Sequence, residues 1–455
     1  MVCKTIIRGF ESRSHLHFDS SPGMARGALP LSESGTNEPL AALRTRLEAV
    51  PAVEEGARVF VLRDLEELSD NPLALSAGGM LLVSLLDGRR TAAQVREIFK
   101  KSTGADIGLP LILELVSALD DAGYLETPAV AARRKTALDA FRASPRRPAV
   151  FAGPSYPAET LALGGVLDGY FKAEKGPGKG KAAKPTRAAP LGLIAPHIDF
   201  ARGGPAYAWA YHALSERAPP DVIIALGVAH VSPDAPWTFT PKRYETPLGA
   251  MEVDAELYDD LTAKVWYDPR ADEWVHKNEH SLEFQAAWLR HLWGDRTPPW
   301  VPILVSSFER FSPDEAPSQI PTLEKALQDF EEVVRAHARK GRRVMVLAGI
   351  DLAHVGARFG DKFEVTPALE MKVEAADRES LVDAMALDAD GFYRSIVGGG
   401  HWRKVCGLSA LYTGLRLIRS LEGSQAGRLL TYGQAPDPAG GLVSFASAVF
   451  DAKSG

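Results

Sequence analysis

The sequence has few cysteines, little charge imbalance and no long apolar run, and each absence removes a class of protein. Among 455 residues only Cys3 and Cys406 are cysteines, so no disulfide framework exists and a reducing compartment is expected. No stretch reaches the roughly 18 consecutive apolar residues of a membrane-spanning helix. The opening MVCKTIIRGFESRSH lacks the apolar segment of about 7–15 residues that a secretory signal needs. These features lead to the expectation of a cytoplasmic protein with no membrane partner. Lys and Arg number 52 against 58 Asp and Glu, a net charge of −6, which argues against nucleic acid as a partner. Hydrophobic residues at 45% are enough for a sizeable core. At roughly 150 residues per domain the length allows about two to four domains.

Residues 1–38 are polar and carry neither a helical nor a strand period, so a disordered leader is expected, with Met24 opening a more usual beginning. From 39 to 127 the apolar residues recur mostly at helical spacing. LAALRTRLEAV (40–50) reads as a short amphipathic helix and ARVFVLRDL (57–65) as a strand. LSAGGMLLVSLLDG (75–88) reads as a helix closed by Gly88. Thr91 and Gln94 make a capping box for the next helix, which carries Val95, Ile98 and Phe99 on one face. LPLILELVSALDDAGYL (109–125) gives a last helix stopping at Gly123. This order is that of a small winged-helix-like α+β domain.

The same stretch resembles the pyrroloquinoline-quinone biosynthesis protein D (PqqD) family. Those winged helices hold leader peptides for modifying enzymes, often radical-SAM ones, so the resemblance implies a radical-SAM enzyme and a peptide as partners. A DNA-binding winged helix or a structural appendage fits the pattern too, although the acidic third helix speaks against DNA. Residues 128–147 read as a basic helix or linker, and EKGPGKGKAAKPTRAA (174–189) as a flexible loop.

The remainder, 148–455, alternates apolar runs with helical stretches, the pattern of an α/β fold. LGLIA (191–195), VIIAL (222–226), VPILV (301–305) and VMVLA (344–348) are unalternated apolar runs. Such runs suit strands covered on both faces, as in a largely parallel sheet. Ligands of such sheets bind beyond the carboxyl ends of the strands, so the residues following each run matter most. His197 follows the first, His230 the second, and Asp351 and His354 the fourth. His280 and Glu283 stand three apart at the expected start of a helix, on one face. Cys406 lies where another helix begins, and a thiol there with Arg403 and Lys404 nearby is expected to have thiolate character; a small apolar core residue is the other reading. Two imidazoles and a thiolate at one sheet edge would form a three-ligand metal site with open positions, suited to zinc, copper or iron.

At these residues the chain resembles the Memo family (mediator of cell motility), whose prokaryotic members are known as AmmeMemoRadiSam system protein B. The matching pieces run in order: AGPSYP (152–157), IAPHIDFARGG (194–204), ALGVAH (225–230), YETPLGAMEVD (244–254), NEHSLEFQ (278–285), GIDLAH (349–354), VCG (405–407) and LVSFASAVF (442–450). That family is similar in fold to the class III extradiol dioxygenases, non-haem iron enzymes. The resemblance implies His197, His230 and Cys406 as metal ligands, copper or iron as the metal, and a redox role. It implies an acid/base role for His354, with Asp351 in the same pocket, and a place for His280 and Glu283 lining the site. Two departures stand out: PHIDF replaces the family's usual PHAGY, bringing in Asp199, and Val231 follows His230 where many members carry a second histidine. Asp199 is expected to line the pocket as a partner of His197, with a ligand or a structural acceptor as the alternatives. A thiolate in place of a carboxylate speaks against catechol cleavage, since the sulfur is itself readily oxidised. Two functions follow: a metal-dependent redox enzyme acting on a peptide or small molecule, or a non-catalytic protein that holds a metal or peptide and presents it to a partner enzyme. A copper-sequestering role lies between them.

Overall fold

The computed structural model describes residues 38–453 except 55, 56, 65, 67, 70, 71, 232, 314 and 438. The expected leader, with Cys3 and Met24, therefore lies outside the described residues apart from Glu38. Contacts divide the chain into two units at Ala140–Phe141. No helix among the described residues is long and apolar enough to cross a membrane.

In the first unit an antiparallel meander of β1 (Leu47–Glu54), β2 (Ala57–Asp64) and β3 (Leu73–Leu75) precedes α1 (Ala77–Ser84), α2 (Ala92–Thr103), α3 (Leu109–Asp121) and the start of α4 (Pro128–Ala143). The Thr91–Gln94 capping box opens α2 as expected. Val95 and Phe99 are buried with Leu82, Leu115 and Leu119 in one apolar cluster. Two expectations fail. Residues 40–50 form no helix: Leu40, Leu43 and Arg44 give their N–H groups to Arg90, Leu86 and Tyr124 carbonyls, and Leu47 onward pairs with β2. Tertiary pairing overrides local spacing there, and it is locked by the buried Arg44, whose guanidinium meets Asp64 at 2.8 Å and Glu66 at 2.6 Å. Gly88 does not close α1 either; the helix ends at Leu85, and Gly88 turns the chain three residues later at φ +78°.

The second unit is built on an eight-stranded sheet. Its strands are β5 (Gly192–Ala195), β6 (Val222–Val228), β7 (Trp237–Phe239), β9 (Trp300–Val305), β10 (Val344–Gly349), β11 (His354–Gly356), β12 (Arg428–Asp437) and β13 (Gly441–Phe450). The order is β11-β13-β5-β10-β6-β9-β7, with β12 on β13. All four apolar runs are strands of the parallel centre β5-β10-β6-β9, and antiparallel strands flank it on both sides. A two-residue pair, β4 (Arg146–Arg147) with β8 (Arg243–Tyr244), lies apart from that sheet.

Helices cover both faces, which explains the unalternated runs. Along β6, Val222, Ile224, Leu226 and Val228 enter one apolar layer with α7 (Ala255–Thr262), α9 (Pro321–Arg339), α10 (Pro367–Met385), α11 (Ala389–Val397) and α12 (Leu408–Ser420). Ile223 and Ala225 enter the opposite layer with α5 (Thr160–Lys172), α6 (Phe200–Ser215) and α8 (His280–Trp293). Residues 174–189 contain no helix or regular strand, yet the segment is tied down: Ala182 N–H donates to Ser215 Oγ and Lys181 Nζ to the His291 carbonyl.

Candidate metal centre

Because β10 lies between β5 and β6, the residues that follow these three strands meet over one sheet edge. His197 comes two residues after β5, His230 two after β6 and Asp351 two after β10. The start of α8 completes the group, and it approaches closely because Gly227 and Gly349 have no side chain. A Cβ on Gly227 would stand 2.6 Å from Ser281 Oγ, and one on Gly349 would stand 2.9 Å from the Ser281 carbonyl.

Three imidazoles converge there. Ligating nitrogens of His197, His230 and His280 lie within 4.8 Å of one another. The His230 and His280 rings stack at 4.8 Å and 18°, and His197 meets both edge-on at 5.0 and 5.3 Å. His197 is buried, with Nδ1 3.0 Å from the Gly349 carbonyl, which turns Nε2 toward Cys406 Sγ at 3.3 Å and Asp351 Oδ2 at 3.6 Å. Its backbone N–H donates to Asp351 Oδ1 at 3.0 Å. His230 leaves 36% of its side-chain surface open to solvent, so the group is reachable from outside. His354 binds the Leu352 carbonyl through Nδ1 at 3.0 Å and interacts with the Cys406 thiol.

Electrostatics bind these groups together. Burial raises the Cys406 thiol, but His197 and His354, with hydrogen bonds from His197 and His230, bring it well below the ordinary value. Burial lowers His197, yet Asp351 and the thiolate outweigh it and lift the imidazole to about 9. Glu279 and the same sulfur raise His230 against burial. His280 goes the other way, pushed down to about 3 by burial and by the two facing rings. The thiolate therefore has a different origin from the one expected. Arg403 is buried against Asp377 Oδ1 at 2.7 Å and Ser380 Oγ at 2.7 Å, and Lys404 pairs with Asp361 at 2.5 Å. The loop carrying Cys406 is strained, with His401 and Lys404 in the left-handed region at φ +50° and +48°. Such strain persists only where surrounding contacts impose it, and the Arg403–Asp377 pair is one of those contacts.

Two further expectations need correction. Asp199 does not partner His197; it caps α6 by accepting the Arg202 N–H at 3.1 Å and pairs with Arg202 Nε at 2.6 Å. The carboxylate beside His197 is that of Asp351. Glu283 is fully buried, its carboxylate engaged by Arg147, the Tyr156 hydroxyl and the Phe151 N–H, so it braces the loop at 151–156 instead of lining the pocket. Glu279, which the sequence reading passed over, is the carboxylate that faces the rings: it accepts from His230 Nδ1 at 3.0 Å and from the His230 N–H at 3.0 Å. Its position directly before His280 was the available signal, but it also fits a helix cap, which Glu279 is.

The donor set fits a metal ion. The Nδ1 atoms of His197 and His230 are held by a carbonyl and a carboxylate, the arrangement that orients ligating histidines. Two donors about 2.1 Å from one ion stand at most about 4.2 Å apart, so nitrogens already within 4.8 Å need little movement. Imidazoles with a thiolate suit copper, zinc or iron. A second group, Glu256, Asp260 and His337, already has cations of its own, Lys340 on Glu256 at 2.8 Å and Arg342 on His337 at 2.9 Å.

Comparison with known proteins places the chain in a family. A MEMO1 family protein of Aquifex aeolicus is 26% identical over 392 residues, 86% of this chain and 96% of the relative. Another, from Methanopyrus kandleri, is 27% identical over 311 residues, 67% of this chain and 98% of the relative. A solved structure of an uncharacterized Escherichia coli K12 protein covers 57% of this chain and 98% of its own at 13% identity, with a TM-score of 0.35, too slight a likeness to add to the assignment. The model of the family described as Memo-like protein matches residues 146–449, which hold every residue of the centre, and the chain belongs to that family.

Proposed function

We propose that this protein is a metal-dependent redox protein in which His197, His230 and Cys406 hold copper or iron. The observation that carries the reading is the Cys406 sulfur 3.3 Å from His197 Nε2 beside the other imidazoles, at the carboxyl ends of adjacent parallel strands. A bound copper or iron ion would supply one-electron chemistry and an open position for substrate. The chain's own groups would do the rest. Asp351 fixes the His197 backbone and faces its ring, and His354, with Nδ1 tied to a carbonyl, keeps Nε2 for taking and returning a proton. The exposed edge of His230 gives a small molecule or an extended peptide its route in. In the fuller form of this reading the chain acts with a radical-SAM enzyme in a maturation system, and the 38–140 unit captures the peptide as PqqD-like domains do.

A second reading, a non-catalytic holder that presents metal or peptide to a partner enzyme, is favoured by the separately cored first unit and by a thiolate suited to holding Cu(I). Elemental analysis of protein purified without added metal, beside Cys406→Ser and His197→Ala, tests both. The redox reading expects close to one copper or iron per chain, lost in the variants, and metal-dependent oxygen uptake with substrate. Metal retained without any uptake supports the holder, and metal retained in both variants overturns the proposed ligand set.

A further inference from the structure

Cys406, His197 and His230 leave one converging group without a role. His280 is the first residue of α8, and its ring lies parallel to that of His230. Both rings turn their Nδ1 atoms to one carboxylate: Glu279 Oε1 is 3.1 Å from His230 Nδ1 and 3.3 Å from His280 Nδ1. The two rings thus share one carboxylate on one side, and a ring nitrogen of each lies within 4.8 Å of one of His197, whose ring meets both edge-on. Phe151 and Phe284 pack on His280 at 5.7 and 5.3 Å and limit its rotation.

Glu279 is itself held on several sides. It is buried, and besides the two rings it accepts the N–H of Ser281 at 3.0 Å and that of His230 at 3.0 Å. A carboxylate held by two backbone donors is a rigid reference for whatever it touches. One residue thus sets ring orientation on two elements, the end of β6 and the start of α8. A helix cap alone needs only the Ser281 bond.

Resting on the metal-centre reading above, we propose that His280 is a metal ligand, completing with His197 and His230 an all-imidazole face beside Cys406, and that Glu279 is the positioning residue that aims two of its three rings. The centre then has three nitrogen donors and one sulfur, a set that suits Cu(I) better than an iron site built for oxygen activation.

The test uses the full-length protein and Cu(I), with affinity read by competition against bicinchoninate and the number of bound imidazoles read by copper-edge X-ray absorption. Wild type should show three imidazoles and one sulfur. His280→Ala should show two imidazoles and bind at least tenfold more weakly. Glu279→Gln keeps every donor but offers an amide N–H where a second acceptor oxygen stood; it should keep three imidazoles in a more disordered shell and lose about 10–100-fold in affinity. Circular dichroism and the melting temperature report whether Glu279→Gln has lost its fold, and the half-buried His280 variant gives an answer in either case. Wild-type affinity and an unchanged imidazole count in His280→Ala overturn the assignment while leaving the His197–His230–Cys406 centre standing. Failure of wild type to bind Cu(I) overturns the assignment and the copper form of the centre, leaving only its iron form.

Discussion

Arg147 is the residue whose loss would expose how the centre is braced from behind. Its guanidinium has no solvent exposure and sits 4.8 Å from the centre of the Tyr244 ring. It donates through Nε to the His276 carbonyl at 2.9 Å, through Nη2 to the Glu279 carbonyl at 2.8 Å and through Nη1 to the Pro148 carbonyl at 2.8 Å, and it pairs with the buried Glu283. Arg147→Met keeps the apolar stem and leaves Glu283 buried without its counter-ion, a change that costs about 3–5 kcal/mol. The Tyr156 and Phe151 donors on Glu283 remain, which favours the lower end. Unfolding entropy of about 2.1 cal/mol/K per residue gives about 0.7 kcal/mol/K for the 141–455 unit. The expected fall in its melting temperature is therefore about 5–8 °C, read by calorimetry. Adding Glu283→Leu removes the stranded charge, so the double variant should melt above Arg147→Met, with a coupling energy of about 2 kcal/mol. A fall below about 1 °C, or costs that simply add, would refute the idea that this pair is the brace.

His276 sits with Nδ1 2.6 Å from the Tyr244 hydroxyl and Nε2 2.9 Å from the Thr238 carbonyl, and burial pushes its pKa down to about 3. The unfolded chain takes up that proton near pH 6.5 and the folded one does not, so stability falls as pH drops below 6.5 toward about 3. Between pH 6 and 5 this group should remove about 1 kcal/mol, seen in urea unfolding as a steeper loss than in His276→Asn; matching slopes would count against it. Thr91→Ala removes the capping box in which Thr91 Oγ1 accepts the Gln94 N–H at 3.3 Å and Gln94 Oε1 accepts the Thr91 N–H at 2.9 Å. A loss of about 0.5–2 kcal/mol should appear as faster hydrogen exchange across residues 92–103, and unchanged exchange would deny the cap its role.

The site was readable in outline because its histidines follow runs whose apolar character is itself a statement about burial. A five-residue run such as VIIAL has no polar face to show water, so it belongs inside a layered sheet, and His230 after it belongs at the sheet's end. Asp199 and Glu283 were less legible. Each carries a charge near the right motif, but Arg202, three residues on, takes one and Arg147, 136 residues away, takes the other. The helix expected at 40–50 was lost for the same reason. Its periodicity is genuine, but the partners of Arg44 lie at Asp64, Glu66 and Gly123.

Local chemistry in the chain was sufficient for the α/β class, the four central strands, the capping box and the family. Each depends on a residue and its near neighbours, or on motifs that recur in order. Strand order, the close seating of α8 on Gly227 and Gly349, the carboxylate shared by two imidazoles and the source of the Cys406 thiolate came from packing alone. Charge and hydrogen bonding act over a few ångströms in space with no regard for separation along the chain. A carboxylate therefore finds its partner only when the whole core has closed around it.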